Sequence, residues 1–217
     1  MLRTMGEASF WDHSWKSQDR EKLFSYIDSF DYSADAITQF LHEQGFNNIC
    51  DAGCGCGVYS LKLTLHGFSV SGFDVSEYAV ELANCLLSEK GYLTRSFRTA
   101  DVLSTGYADG RFDAVVARDV IDHMPIQDGR AAVKELLRIV RPGGCVLLTL
   151  DGSDDEYEAE PHEKNDSGDY IFTDGKWKGM IFHPFSVEDV GKLAHGYDAK
   201  LLASSGRGNL VVFKKHS

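Results

Sequence analysis

The stretch Asn48-Ile49-Cys50-Asp51-Ala52-Gly53-Cys54-Gly55-Cys56-Gly57 constrains this chain more than any other. A short apolar run ends near an aspartate, and glycines follow at alternate positions. Residues 48–52 read as a buried strand, and Val58 to His66 as the helix after it. Glycine at a strand-to-helix turn permits positive φ and leaves no side chain between backbone and ligand. Such a turn opens onto a helix N-terminus, whose free N–H groups favour negative charge. In a doubly wound α/β sheet, this crevice is where nucleotide-like ligands bind.

The spacing narrows the ligand. A dinucleotide fingerprint is G-x-G-x-x-G, whereas Asp51 to Gly57 reads Asp-x-Gly-x-Gly-x-Gly. A carboxylate beside a pyrophosphate repels it, and an ammonium group is attracted instead. A ligand with an amino-acid tail therefore suits Asp51 better than one with a diphosphate. Here the sequence resembles the class I S-adenosylmethionine-dependent methyltransferases, whose first motif reads this way. With the matches described next, the resemblance covers roughly Phe46 to Leu150. It implies S-adenosylmethionine as cofactor, held in part by Asp51, Gly53, Cys54 and Gly55.

Downstream, each strand end offers a further contact. Asp74 closes the strand Ser69 to Asp74, 21 residues past Gly53, where an acid accepts hydrogen bonds from both ribose hydroxyls. The same residue suits an N-cap for a helix over 77–90, although Ser76 is equally placed to cap it. Asp74, Val75 and Ser76 resemble the family's second motif. Ala100-Asp101-Val102 ends the third strand; by resemblance Asp101 accepts from the adenine amino group and the next N–H meets a ring nitrogen. Beyond the fourth strand, Phe112 to Ala117, resemblance gives Arg118 a backbone contact to the methionine end of the cofactor.

Candidate chemistry sits in Asp119-Val120-Ile121-Asp122-His123, at the carboxyl end of a central strand. A histidine there can take a proton from an attacking O–H or N–H, with Asp119 or Asp122 orienting it. In the resembling family a matching histidine also shapes a loop or touches the cofactor, so both roles stand for His123. A helix over 131–140, the stop Pro142-Gly143-Gly144 and a strand over 145–150 continue the alternation. The fold expected is α/β: a Rossmann-like, mixed seven-stranded sheet with helices on both faces and an antiparallel last strand, Leu210 to Lys214.

Two segments lie outside that core, which is placed at 46–150. Residues 1–45 form an expected helical lid: polar at first, with Phe10, Trp11 and Trp15, then helices over 20–30 and 33–44. Residues 1–20 carry too few apolar positions for a core helix, so Trp11 and Trp15 either pack on the domain or cover the pocket. Residues 151–185 form an expected insertion. Its part from Asp151 to Asp169 holds nine acids and one base, which predicts a solvated, mobile loop peripheral to the cofactor. Asp174-Gly175 then predicts a two-residue hairpin pairing Thr173 with Lys176, which puts Tyr170, Phe172, Trp177 and Ile181 on one face. That small cap either roofs the substrate pocket or extends the core. Residues 186–217 supply a last helix and the closing strands.

Composition excludes several partners. The acidic segment carries most of the net charge of −11, leaving no basic face for nucleic acid. No apolar run spans a membrane, and no secretory h-region opens the chain. Five cysteines, crowded at 50, 54 and 56, predict a cytoplasmic protein without a disulfide framework. Cys54-x-Cys56 lacks a second ligand pair, so no metal is expected. The function expected is methyl transfer to a small-molecule acceptor, with a non-catalytic cofactor sensor or partner subunit and a nicotinamide oxidoreductase as alternatives.

Overall fold

Apolar runs too short for helices and flanked by glycine become parallel strands buried on both sides. The computed structural model describes residues 5–25, 32–92, 96–205 and 207–216. Three helices come first: α1 (Met5–Lys16), α2 (Arg20–Ser25) and α3 (Tyr32–Glu43). The core then alternates: β1 (Asn48–Ala52), α4 (Val58–Leu65), β2 (Ser69–Asp74), α5 (Glu77–Glu89), β3 (Phe97–Thr99), β4 (Phe112–Ala117), α6 (Ile126–Ile139) and β5 (Val140–Asp151). The insertion holds α7 (Asp155–Glu158), β6 (His162–Lys164), β7 (Tyr170–Phe172) and β8 (Ile181–Phe182). The chain closes with α8 (Val187–Ala194), β9 (Asp198–Ser204) and β10 (Gly208–Lys214).

Seven strands make the main sheet in the order β3-β2-β1-β4-β5-β10-β9. β10 runs antiparallel to both neighbours, and the pairs among β1 to β5 are parallel. The mixed sheet expected from sequence is therefore present. Alternate residues of β1 feed opposite layers. Cys50 and Ala52 join a cluster with Val133, Leu136 and Leu193 of α6 and α8, whereas Ile49 joins Ile37, Leu41 and Leu63 of α3 and α4. Each buried valine, leucine or isoleucine among them contributes about 1.5–3 kcal/mol.

Several boundaries differ from the sequence reading, each for a tertiary reason. The polar N-terminal arm is a helix, α1, because it is docked. Asp12 accepts from the Ser76 hydroxyl at 3.0 Å and from the Tyr78 N–H at 3.2 Å, at the N-terminus of α5. That end of α5 favours an anion, so the contact supplies what local propensity lacks. Helix α2 ends at Ser25, and the expected continuation over 26–30 lies outside the described residues. α6 starts at Ile126 rather than Ala131, its first N–H donating to Asp169 at 3.1 Å.

The acidic segment is ordered, contrary to the expected mobile loop. Asp154 caps α7 by accepting from the Glu156 N–H, and β6 pairs antiparallel with β7. Glu156 pairs with Lys176, Glu158 with Lys164, and Asp154 with Arg207, so its charges are matched from outside the run as well as within it. The hairpin register also differs. β7 pairs with β8 as Tyr170↔Phe182 and Ile171↔Ile181, which leaves Asp174 and Gly175 in a wide loop over 173–180. That loop folds back on itself, with the Met180 N–H donating to the Trp177 carbonyl and the Phe172 N–H to the Met180 carbonyl. Phe182 therefore takes the buried place expected for Ile181, beside Tyr170 and Phe172.

Candidate active site

The carboxyl ends of β1, β2 and β4 converge on one cavity of about 440 Å³, within the usual range for small-molecule sites. Its floor is the turn after β1. The N–H groups of Gly53 and Cys54 both donate to the Phe73 carbonyl, at 2.8 and 2.9 Å, which folds the turn across the end of β2. Gly55 has a φ of 50°, and a Cβ there would stand 2.7 Å from the Trp15 ring. Only glycine lets α1 sit this close above the loop.

Two buried acids bound this floor. Asp51 is 2% exposed and accepts from the Ser60 hydroxyl. Burial raises its carboxyl to about 7, against the pull of that hydroxyl and of Arg118. Asp74 accepts from the Gly55 N–H and the Ser76 N–H, each at 2.9 Å, and so ties the glycine turn to β2. Burial raises its carboxyl too, opposed by the backbone donors. The capping role that sequence left open for Asp74 belongs to Ser76, whose hydroxyl accepts from the Ala79 N–H at 3.1 Å. Asp74 thus keeps lone pairs toward the cavity, since each carboxylate oxygen accepts more than one bond.

Val75, Ala100 and Val102 complete this end of the wall. Asp101 does not line it; its Oδ1 accepts from the Leu103 N–H at 2.8 Å and shapes the turn after β3. Arg118 lines the cavity with its guanidinium 4.8 Å from the centre of the Tyr59 ring, so it brings charge as well as backbone to the Asp51 side.

The opposite end is roofed by Trp11, Tyr157, Trp177 and Met180, and Trp15 covers the glycine turn. Tyr157 comes from the acidic segment, which therefore contributes to the pocket at the end away from the glycine turn. Tyr170 and Phe172, expected in the pocket, lie in the cluster beneath Trp177 and away from the wall. His123 lines the cavity, edge-on to Trp11 at 5.1 Å between ring centres, and its Nδ1 has no partner among the described residues. Burial holds its proton affinity below the ordinary histidine value, against Asp119 and Asp151. Asp119 has a φ of 54°, unusual for a residue with a side chain, and its N–H donates to the Thr149 hydroxyl at 2.8 Å. Tyr157, Met180 and the neighbourhood of Asp151 were not singled out by sequence, because only folding brings them to the strand ends.

Comparison with known proteins finds matches over the core strands and for the fold. Residues 50–148 match a family described as methyltransferase domain. Over 101 residues the chain is 36% identical to 2-methyl-6-phytyl-1,4-hydroquinone methyltransferase of Synechocystis, covering 46% of this chain and 30% of that one. It spans less than half the length of the curated relatives it matches. Among solved structures, the PH0226 protein of Pyrococcus horikoshii superposes with a TM-score of 0.69 at 19% identity, covering 87% of this chain and 93% of that one. Magnesium protoporphyrin IX methyltransferase of Synechocystis, solved with bound S-adenosylmethionine, gives 0.58 at 19% identity over 84% and 78%.

Proposed function

We propose that this chain is a class I S-adenosylmethionine-dependent methyltransferase and moves a methyl group from S-adenosylmethionine onto a small, largely apolar acceptor. The observation that carries the reading is one cavity with two unlike ends. Asp51, the glycine turn and Asp74 suit an ammonium and a ribose, and the aromatic roof faces the other way. The cofactor supplies a methyl carbon made electrophilic by its sulfonium. The chain's own part is then largely alignment and exclusion of water, which together contribute much of such a barrier. Asp51 and Arg118 fix one end, Trp15 covers the glycine turn, and Trp11, Tyr157 and Trp177 hold an apolar acceptor against it. His123 lines the same wall beside Trp11 and positions the acceptor. A small-molecule partner fits this closed roof better than a polymer does. Free thiols at all five cysteines suit a cytoplasmic setting, and no helix among the described residues is long and apolar enough to cross a membrane.

The direct test is incubation with S-adenosylmethionine and a panel of phenols, quinols and amines, followed by homocysteine release after hydrolase coupling. Acceptor-dependent release is expected. Tight binding of S-adenosylhomocysteine with no turnover on any acceptor would favour the sensor or partner-subunit alternative. Trp177→Ala is expected to raise the acceptor KM while S-adenosylhomocysteine affinity stays within about threefold, or ~0.6 kcal/mol. An unchanged acceptor KM would remove Trp177 from the pocket. For His123→Ala the expected loss in kcat is below ~10²-fold, the effect of a positioning group; a loss of ~10²–10⁴ would make it the general base.

A further inference from the structure

Sequence pattern calls for no metal, yet folding assembles a candidate ligand set. β4 and β5 are parallel neighbours, so the loop after β4 meets the residue that ends β5. Carboxylate oxygens of Asp119, Asp122 and Asp151 there lie within 4.8 Å of one another. Hydrogen bonding leaves one oxygen of this cluster unaccounted for, although the Asp122 carboxyl also accepts from the Asp151 and His123 backbone N–H groups. Asp122 is 1% exposed, and its Oδ1 has no partner among the described residues. Buried polar atoms are otherwise nearly always paired, so an orphan among carboxylates points to a missing cation. Neither Asp119 nor Asp122 has an ion-pair partner among the described residues. Asp119 is exposed on the cavity wall, and its Oδ1 accepts from the Thr149 hydroxyl at 3.1 Å, which fixes its carboxylate.

We propose that Asp119, Asp122 and Asp151 bind a hard divalent cation of the Mg²⁺ or Mn²⁺ class. All-oxygen donors select such ions over zinc or copper. Mg²⁺ habitually takes one to a few carboxylates and leaves its other positions to water or substrate oxygen. Those positions open toward the cavity on the Asp119 side, beside His123. A role for the ion in placing an acceptor oxygen rests on the proposed methyl transfer; the binding itself does not.

The test is titration of the chelator-treated full chain with MnCl₂, read by loss of the free Mn²⁺ resonance signal. Wild type is expected to bind at a single class of site below about 1 mM, with Mg²⁺ competing. Asp119→Asn and Asp122→Asn should each weaken it by about tenfold or more, and Asp154→Asn, which removes an acid outside the cluster, should not. Circular dichroism and S-adenosylhomocysteine binding confirm that each variant is folded. If Asp122→Asn fails to fold, the exposed Asp119 carries the test. No Mn²⁺ binding by wild type, or equal binding by folded Asp119→Asn, would overturn the site; the second result would leave shared protons among the three acids as the account of the cluster. Either outcome leaves the methyl-transfer reading to its own assay.

Discussion

Replacing Asp51 with asparagine is expected to stabilise the ligand-free protein and to weaken its hold on the cofactor. The two effects share one cause. Burial raises the Asp51 carboxyl to about 7, from an ordinary value of 3.8. A carboxyl raised on folding binds its proton more tightly in the native state, so stability is lost as pH climbs from about 4 to about 7 and is flat above. A shift of this size corresponds to on the order of 4 kcal/mol at most. Asparagine keeps an acceptor for the Ser60 hydroxyl and has no charge to bury. Urea unfolding at pH 8 should therefore favour Asp51→Asn by ~1–3 kcal/mol, with the gap narrowing toward pH 5.5. S-adenosylhomocysteine should bind the variant ~10–100-fold more weakly at pH 8, the scale of a hydrogen bond to a charged group. The affinity of wild type should also fall below pH 7, as Asp51 takes up its proton, and that of the variant should not. Equal stability at pH 8 would mean that the carboxylate is better solvated than its burial implies.

Asp74→Ala is expected to give the larger loss of affinity. It removes the acceptors of the Gly55 and Ser76 N–H groups as well as those proposed for the ribose. Loss of bonds to a charged group costs ~1.5–3 kcal/mol, and the released glycine turn adds to that. A fall of ~10²-fold or more in S-adenosylhomocysteine affinity should follow, with Asp74→Asn intermediate because it keeps one oxygen acceptor. Calorimetry at pH 8 separates the three proteins. Unchanged affinity for folded Asp74→Ala would take the residue out of the site.

What sequence reveals here depends on how far apart the interacting residues lie. The floor of the cavity is contiguous: Asp51 to Gly57 is one strand, one turn and one helix start, and Asp74 ends the neighbouring strand. Its geometry follows from glycine torsions and strand burial, both local. The main sheet is legible for the same reason, each strand being a short apolar run closed by a turn. The roof is different. Helix α1 forms because Asp12 finds the start of α5, a contact spanning more than 60 residues. Tyr157 reads as one aromatic among acids until α7 stacks it 4.3 Å from Phe182. Asp174-Gly175 carries a strong hairpin signal, and it loses to the wider loop that tucks Trp177 under α1 beside Phe10 and Trp11. Asp122 and Asp151 meet only because β4 and β5 pair, which no spacing rule along the chain encodes.

The glycine turn between β1 and α4 is expected to bind an S-adenosyl ligand through Asp51 and Asp74. Calorimetric titration of wild type with S-adenosylhomocysteine and, in parallel, with NAD reads out that contact. Saturable binding of S-adenosylhomocysteine is expected, lost or weakened at least about tenfold in Asp51→Asn and Asp74→Ala, with no heat from NAD. Binding of NAD in preference, or S-adenosylhomocysteine binding indifferent to both substitutions, would rule out this turn as an S-adenosyl site.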